Sequence, residues 1–387
     1  MASVALQTTA TRHDSRRHME TGQITIALYE NSIPSFVEPE LDTLYGHVFS
    51  SLPQFRVYDG LGDGVHTYVA QNGGRTAAAL LFRVQGKRVQ VLNEQITMDA
   101  AEVERFARHA FDTYPDAGMV CFHAIRAVGR LGLPHQHFYR TEDIVLTLPP
   151  TPEDYLAALG KATRKNFKYH GNRLKRNFPS LQFKVYEDGD IPVSHVRDII
   201  ELNRARMATK NKESEIDAAE TDRLTRLVKE SGLVSAMILD GRVVAGTVCS
   251  RVGANYFMHI NAHDPAYDDA RMGKLCCYMT ICDCIERGGK EFHFMWGRFE
   301  YKYLLLGVQQ DFDELIVYRS RAHMLANAPT ALRTAFHGYS RTWKFRLLDI
   351  ADRPEQGGAG TRAVARLLNL ARDIKQSGLR GAASSFK

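Results

Sequence analysis

Several features that would assign a protein class at once are missing from this sequence of 387 residues. No apolar run approaches the roughly 20 residues that a membrane-spanning helix needs. The first 22 residues also lack the apolar core of a secretory signal. We therefore expect a soluble, cytoplasmic protein whose residues 1–22 form a disordered tail.

Cysteine spacing that would favour a zinc site is missing as well. Four of the six cysteines fall in the segment LCCYMTICDC, but no CxxC pair occurs there. The segment has the pattern of a helix, on which neighbouring residues point about 100° apart. We therefore expect no bound metal, and reduced thiols that pack as small buried residues. The six are Cys121, Cys249, Cys276, Cys277, Cys282 and Cys284.

Charge of either sign is not extreme. The formal net charge is +6, and charged residues make up 24% of the chain. This mild positive excess suits an anionic partner, such as a nucleotide cofactor, an acidic carrier protein or RNA. No recognised RNA-binding fingerprint is present.

Residues 23–150 have the pattern of one α/β unit. Apolar alternation predicts strands at QITIALY, HTYVAQ, RTAAALLFRV and RVQVLN, followed later by GMVCFHAI and EDIVLTL. Helical spacing appears in PSFVEPELDTLYGHVFSS, which starts at Pro34, and in AAEVERFARHAFDTY, which Asp99 is placed to cap. A boundary is then marked by Pro149, Pro150 and Pro152.

Residues 151–320 repeat this order of elements. A basic helical segment, PEDYLAALGKATRKNFKYHGNRLKRNF, is broken near Gly160 and Gly171 and leads to the strand LQFKVYE. Two helices follow, and then VSAMILDGRVVAGTVCSRVGANYFMHINAH predicts three antiparallel strands with a DG turn. The helix RMGKLCCYMTICDCIERG, the strand EFHFMW, the short helix FEYKYLLLG and the strand FDELIVYR complete the unit.

Residues 321–387 read as a basic helical C-terminal tail. The segment PEQGGAGT interrupts it as a flexible break. The amphipathic helix RAVARLLNLARDI follows, with arginines on one side. Such helices can lie on membranes, but we expect this one to pack on its own domain.

The segment DDARMGKLCC opens the helix that follows the three antiparallel strands. Helix N-termini bind phosphate through free N–H groups and the helix dipole. Gly273 permits close approach, and Arg271 and Lys274 add positive charge. We therefore predict that Arg271, Met272, Gly273 and Lys274 bind a phosphate-bearing cofactor. The alternative is that Gly273 simply packs against a strand.

Three features make residues 151–320 resemble the GNAT superfamily. They are the basic helix KATRKNFKYHGNRLKR, the meander from ILDGRVVAGTVCS to the glycine-opened helix, and FHFMWGRFEYKYLLLG, in which a strand runs into Gly297 and then Tyr301-Lys302. Within the superfamily, the segment is similar to the CelD-type acyltransferase branch, which is related to the Fem-type aminoacyl ligases of peptidoglycan synthesis.

The resemblance implies an α/β (α+β) fold: a GNAT-like mixed sheet with flanking helices, in two tandem GNAT-like units. Residues 23–150 would be a degenerate unit and residues 151–320 the catalytic one. The implied enzyme is a biosynthetic N-acyltransferase. It moves an acyl group from a thioester donor, acyl-CoA or the acyl-phosphopantetheine of a carrier protein, to a small-molecule amine. Direct attack needs no acyl-enzyme, in keeping with the absence of a GxSxG motif.

One departure leaves alternatives open. The usual GNAT cofactor loop has the form Q/R-x-x-G-x-G/A, whereas this chain has only RMGKL at Arg271 to Leu275. The donor could instead be a charged tRNA, as in a Fem-like aminoacyl transferase, or the protein could be a non-catalytic binding module.

Direct transfer requires a base for the amine, a donor to the oxyanion and an acid for the thiolate. His259, His263 and Glu300 are the candidate bases. Tyr301 is the candidate acid, and Lys302 could stabilise the oxyanion or hold a phosphate. For each of these residues, ordinary packing or solvation is the alternative.

The basic helix predicts a docking surface. Arg164, Lys168 and Lys175 lie near one face at helical spacing, and Trp296 completes the predicted docking set. Such a face could bind an acyl carrier protein, a phosphorylated substrate or tRNA. A solvated helix face is the alternative. No integral membrane association is expected.

Overall fold

The computed structural model describes residues 19–21, 24–58, 60–209, 214, 216–329, 331–336, 338–340 and 343. Most of the predicted tail over residues 1–22 lies outside this part, as do the predicted break PEQGGAGT and the predicted helix RAVARLLNLARDI. Below, the N-terminal half means residues 19–150 and the C-terminal half means residues 151–320.

The elements follow the chain in a regular order. The strands are β1 (Met19–Thr21), β2 (Ile24–Tyr29), β3 (His66–Asn72), β4 (Arg75–Gln85), β5 (Arg88–Val91), β6 (Ile96–Asp99), β7 (Met119–Val128), β8 (His135–Thr147), β9 (Gln182–Glu187), β10 (Gly232–Leu239), β11 (Arg242–Val252), β12 (Asn255–His263), β13 (Glu291–His293) and β14 (Val308–Tyr318). The helices are α1 (Val37–Leu44), α2 (Leu52–Val57), α3 (Ala100–Thr113), α4 (Pro152–Ala158), α5 (Lys161–Asn177), α6 (Val193–Ala208), α7 (Ala218–Glu230), α8 (Met272–Glu286), α9 (Glu300–Leu304) and α10 (Arg321–Ala326).

The two halves repeat one arrangement. Each has a strand, two helices, three antiparallel strands, a helix, and then a strand that pairs parallel with the third of those three. The parallel pairs are β5 with β7 and β12 with β13. The structure therefore confirms the predicted mixed α/β fold with two tandem units.

All strands of the described residues belong to one sheet, in which the halves exchange their last strands. The order is β1-β2-β3-β4-β5-β7-β14-β8-β13-β12-β11-β10-β9, and β6 also pairs with β7. Strand β14 thus lies beside β7 of the other half, and β8 lies beside β13. The predicted boundaries at residues 22, 150 and 320 stay predictions, because this sheet runs through both halves.

Local chemistry explains where several elements begin and end. Asp240 and Gly241 have φ values of 50° and 80°, as a tight turn between β10 and β11 requires. The Asp99 side chain accepts a hydrogen bond from Ala101 N at 2.8 Å and caps α3 as predicted.

Two predicted helix boundaries are wrong. The helix expected across residues 34–51 ends at Leu44, since Gly46 has a φ of 53° that a continuing helix does not allow. The break expected near Gly171 is absent, and α5 runs through it. A single glycine in an otherwise helical segment lowers stability by about 1 kcal/mol but does not end the helix.

Separate apolar clusters fill the two faces of the sheet. One lies under α3 and includes Phe106 and Phe122. Another lies under α8 and includes Cys277 and Phe292. A third lies between α6, α7 and strands β10 to β12. The C-terminal half of the sheet is therefore covered by α8 on one face and by α6 and α7 on the other. No described helix is both long and apolar enough to span a bilayer.

Two glycine substitutions test this packing. A Cβ at Gly246 in β11 would lie 2.3 Å from Ile199 Cδ1, whereas a Cβ at Gly171 in α5 would meet nothing within 4 Å. We expect Gly246→Ala to lower the free energy of unfolding by about 1–3 kcal/mol through overpacking. Gly171→Ala, the matched control, should raise it by up to about 1 kcal/mol. Urea unfolding measures both, and equal effects of the two changes would contradict the structure.

Candidate functional site

A cleft opens where the parallel strands β12 and β13 separate. They pair only over Asn255–Phe257 and Glu291–His293, after which β12 continues to His263 while β13 ends. A cavity of about 490 Å³ occupies the opening, between these strand ends and helices α6 and α7. Its walls include Asn203, Arg206, Glu220, Met258, His259, Ile260, Asn261, Phe294, Met295, Trp296, Gly297, Phe299, Tyr301 and Lys302.

A β-bulge lies on the β12 wall of this cavity. In the pairing of β11 with β12, Val248 pairs with Ile260 and Cys249 with Met258, so His259 has no partner. The extra residue of a bulge is left out of the ladder. The backbone of His259 is therefore not committed to β11, and an N–H group at such a place can act as an oxyanion donor.

The His259 imidazole is held by a buried serine. Its Nε2 lies 2.8 Å from Ser250 Oγ. Burial lowers the pKa of His259 to about 4, so the ring is neutral at neutral pH. The predicted base is thus in the right protonation state, although it is a weak base.

Tyr301, the predicted acid, lies on α9 and faces the same cavity. Burial raises the pKa of its hydroxyl well above the usual value, and a hydrogen bond with Asn261 only partly offsets this. The phenol therefore keeps its proton at neutral pH, as a general acid must. Arg206 joins this wall, because its Nη1 donates to Asn261 O at 3.1 Å. No sequence pattern distinguishes Arg206 from the other arginines of α6.

Lys302 is buried beneath the segment that follows β13. Its Nζ donates to the carbonyl oxygens of Phe294, Met295 and Trp296 at 2.7, 3.0 and 2.6 Å. An ammonium group has three N–H donors, so these bonds use all of them. Burial lowers the pKa of Lys302 to about 8. The geometry shows a residue that positions the cavity wall, and its oxyanion role stays a prediction.

The other two candidates near this segment differ in position. Trp296 lies at the cavity rim with 55% of its surface exposed. Its ring is 6.0 Å from that of Phe49, between centroids. Glu300 is exposed and is not among the residues that line the cavity. The structure therefore brings His259, Tyr301, Lys302 and Trp296 together, but leaves Glu300 apart from them.

The four residues predicted to bind a cofactor lie at the start of α8. Arg271 precedes the helix in the left-handed conformation, with φ 57°, and Arg271 and Lys274 are exposed. Met272 is buried. A Cβ at Gly273 would lie 2.5 Å from His263 Nδ1, so the ring of His263 requires a glycine here. The close approach thus belongs to the protein's own packing, and phosphate binding stays a prediction.

The basic helix α5 packs beside the start of α8. Phe167 stacks on Tyr278 with ring centroids 4.6 Å apart, and Arg173 Nη1 donates to Asp269 O at 3.5 Å. Lys168 and Lys175 are exposed. Arg164 turns back to Ala157, where its Nη1 donates to the carbonyl oxygen at 2.5 Å. Among the cations of α5, Arg173 therefore lies beside the predicted phosphate site.

A buried polar cluster joins the two halves near the cavity. Asp143 Oδ2 lies 2.6 Å from His293 Nδ1 and 3.3 Å from His47 Nε2. These atoms are close enough together to hold a metal ion. However, His47 Nδ1 accepts a hydrogen bond from Phe49 N, which places the proton on Nε2 and leaves no lone pair there. We therefore interpret the cluster as a hydrogen-bonded junction between the two halves. Its residues lie far apart in the chain, so no local sequence pattern could predict it.

This junction predicts a dependence of stability on pH. Burial alone would lower the pKa of His293, but hydrogen bonds to Asp143 and Glu291 raise it above the usual value. A raised pKa contributes stability that is present below about pH 6.5 and is lost as pH rises through the folded value. His293→Gln should therefore lower the free energy of unfolding by about 3 kcal/mol at pH 6 and by clearly less at pH 9. Urea unfolding at both pH values checks this, with the partly exposed His123→Gln as control. An equal cost of His293→Gln at the two pH values would contradict the charged junction.

Comparison with known proteins finds a family match over the residues of the site. Residues 161–303 match the family model of an acetyltransferase (GNAT) domain. A search of curated protein sequences finds no match. The solved structure of FemX has a TM-score of 0.53 at 8% identity, and the alignment covers 73% of this chain and 96% of FemX.

Two further solved structures have lower scores. The C-terminal domain of a putative lysylphosphatidylglycerol synthetase from Agrobacterium fabrum has a TM-score of 0.45 at 15% identity, covering 76% of this chain and 95% of that one. A tandem GNAT protein from the clavulanic acid biosynthesis pathway has a TM-score of 0.36 at 11% identity, covering 75% and 97%.

The matched residues 161–303 contain α5, the three-strand meander, α8, β13 and nearly all of α9, and so they contain most of the cavity wall. The alignment with FemX extends over most of the chain and shows a shared fold. Residues 161–303 therefore match the GNAT acetyltransferase domain family, and the chain has an overall fold in common with FemX.

Proposed function

We propose that the protein transfers an acyl group from a thioester to an amine, and that the reaction takes place in the cavity between β12 and α9. The observation that carries this proposal is the meeting of two groups at one opening of the sheet. A residue outside the β-ladder, His259, lies on one wall, and a protonated phenol, Tyr301, lies on another. Direct acyl transfer needs both an oxyanion donor and an acid.

The reaction is a direct displacement of the thiolate by the amine. The amine nitrogen attacks the thioester carbonyl carbon, and the backbone N–H of His259 stabilises the oxyanion that forms. The carbon–sulfur bond then breaks, and Tyr301 gives its proton to the thiolate. The neutral His259 ring takes the proton that the nitrogen loses and becomes an imidazolium, while Tyr301 is left as a phenolate. Transfer of that proton from His259 to Tyr301 through solvent restores both groups, so that one proton moves overall from nitrogen to sulfur. Lys302 acts by holding residues 294–296 in place.

The donor is proposed to bind across the start of α8. Acyl-CoA and acyl-phosphopantetheine both carry phosphate, and the exposed Arg271 and Lys274 lie where the helix N-terminus favours anions. The fit is supported by the nearby cations of α5, including the exposed Lys168 and Lys175. The acceptor is then proposed to enter from the side of α6 and α7, where Arg206 and Glu220 line the cavity.

The exposed cations of α5 also favour a second candidate, an aminoacyl transferase that takes its donor from charged tRNA. Lys161, Lys165, Lys168, Lys175 and Arg176 are all exposed on this helix. A row of cations can follow a nucleic-acid backbone as well as it can bind an acidic carrier protein. The two candidates share the cavity and differ in the donor.

The role of Tyr301 is tested by removing one oxygen atom. Tyr301→Phe should lower kcat for acyl transfer by about 100-fold or more, because the thiolate loses its acid, while the thermal unfolding temperature is unchanged. The control is Tyr303→Phe, on the same helix but not among the residues that line the cavity. Release of free thiol from the donor measures turnover. Equal rates for Tyr301→Phe and the wild type would remove Tyr301 from the mechanism.

The donor is tested by thermal shift and calorimetry with coenzyme A, acetyl-CoA, longer acyl-CoAs and a phosphopantetheinylated carrier protein. A ligand at 100 times its dissociation constant should stabilise the fold by about 2.7 kcal/mol. Arg271→Glu with Lys274→Glu should weaken donor binding about tenfold or more, whereas Lys87→Glu, a charge reversal in a distant turn, should not. If no thioester stabilises the protein and charged tRNA binds to it, the thioester donor is contradicted and the second candidate is favoured.

A further inference from the structure

The helical segment after β14 packs on the sheet through small residues. Residues 331–336 and 338–340 are helical. Ala331 is 6% exposed and belongs to a cluster with Met119 and Ile316. Gly338 lies directly against the ring of Phe138, where a Cβ would come within 2.4 Å. The inward side of this helix is therefore formed by residues with almost no side chain.

The outward side carries large apolar residues instead. Leu332 is 70% exposed, Tyr339 62% and Trp343 61%. These three residues, which we call the exposed aromatic face, are spaced by seven and four positions and so lie on one side of a helix. A surface helix of a soluble domain normally buries its large apolar residues and exposes polar ones. This helix instead leaves its large apolar residues exposed, so its exposed face is suited to a further surface.

The sequence that contains this helix carries charge of one sign. From Arg321 to Leu348 the sequence contains no aspartate or glutamate. The same stretch contains the cations Arg321, Arg333, Arg341, Lys344 and Arg346. Aromatic residues with interspersed arginine and lysine are typical of helices that lie in the interface of an anionic membrane.

We propose that the exposed aromatic face binds the surface of an anionic lipid membrane. Tyr339 and Trp343 would lie at the level of the headgroups, Leu332 would contact the acyl chains, and the exposed Arg333 would be attracted to the lipid charge. A neutral surface would lack the last of these contributions. The inference is independent of the acyl-transfer proposal, because no residue of the exposed aromatic face lines the cavity. Such binding would need no spanning segment.

Vesicle co-sedimentation with the full chain tests the proposal. We expect the protein to sediment with vesicles of phosphatidylcholine and phosphatidylglycerol in equal parts, and not with phosphatidylcholine alone. Arg333→Gln should weaken binding about fivefold, the effect of one cation near an anionic surface. The triple variant Leu332→Ser, Tyr339→Ser and Trp343→Ser should weaken it about tenfold or more.

A matched control is Val308→Ser, which removes an apolar residue that is 65% exposed outside this helix and should leave binding unchanged. Circular dichroism melting shows whether each variant is folded. The proposal is overturned if the wild-type chain does not sediment with anionic vesicles. It is equally overturned if the folded triple variant binds as well as the wild type does, since another part of the chain would then carry the binding.

Discussion

The hydrogen-bonded ladder between β8 and β14 holds the rest of the structure in register. It runs from Val308 opposite Val145 to Val317 opposite His135, and it joins the last strands of the two halves at the middle of the sheet. Because each of these strands also pairs with the other half's parallel strand, neither half has a complete sheet alone. The position of β13, and with it one wall of the cavity, is therefore set by a strand of the N-terminal half.

This constraint is a kind of information that sequence patterns do not contain. The DG turn at Asp240, the cap at Asp99 and the order of elements in both halves could be predicted, because each depends on residues close together in the chain. The pairing of β8 with β14 joins residues more than 160 positions apart. Alternating apolar residues predict that a strand exists, but not which strand lies beside it.

The candidate site divides in the same way. His259, Tyr301 and Trp296 could be proposed because they lie in or beside short, recognisable segments, and the structure brings them to one cavity. Arg206 reaches the cavity from α6, and no local sequence pattern predicted this. The cluster of His47, Asp143 and His293 brings together distant segments, so it could not be predicted from local patterns either. Gly273 has two explanations. It fits a phosphate-binding pattern, which stays a prediction, and its small size is also required by His263.

Burial of a lysine beneath the cavity wall shows why the N-terminal half is needed, although the acetyltransferase family match begins only at residue 161. Lys302 draws the carbonyl oxygens of residues 294–296 inward from the C-terminal half. The buried Glu142 on β8, in the N-terminal half, accepts a hydrogen bond from Gly297 N, with 3.2 Å between Oε1 and N. The carboxylates of Asp143 and Glu142 favour the charged form of this lysine against the cost of burial. Residues 294–297 are thus held by both halves. The C-terminal half can therefore form an ordered cavity only when β8 of the N-terminal half is in place.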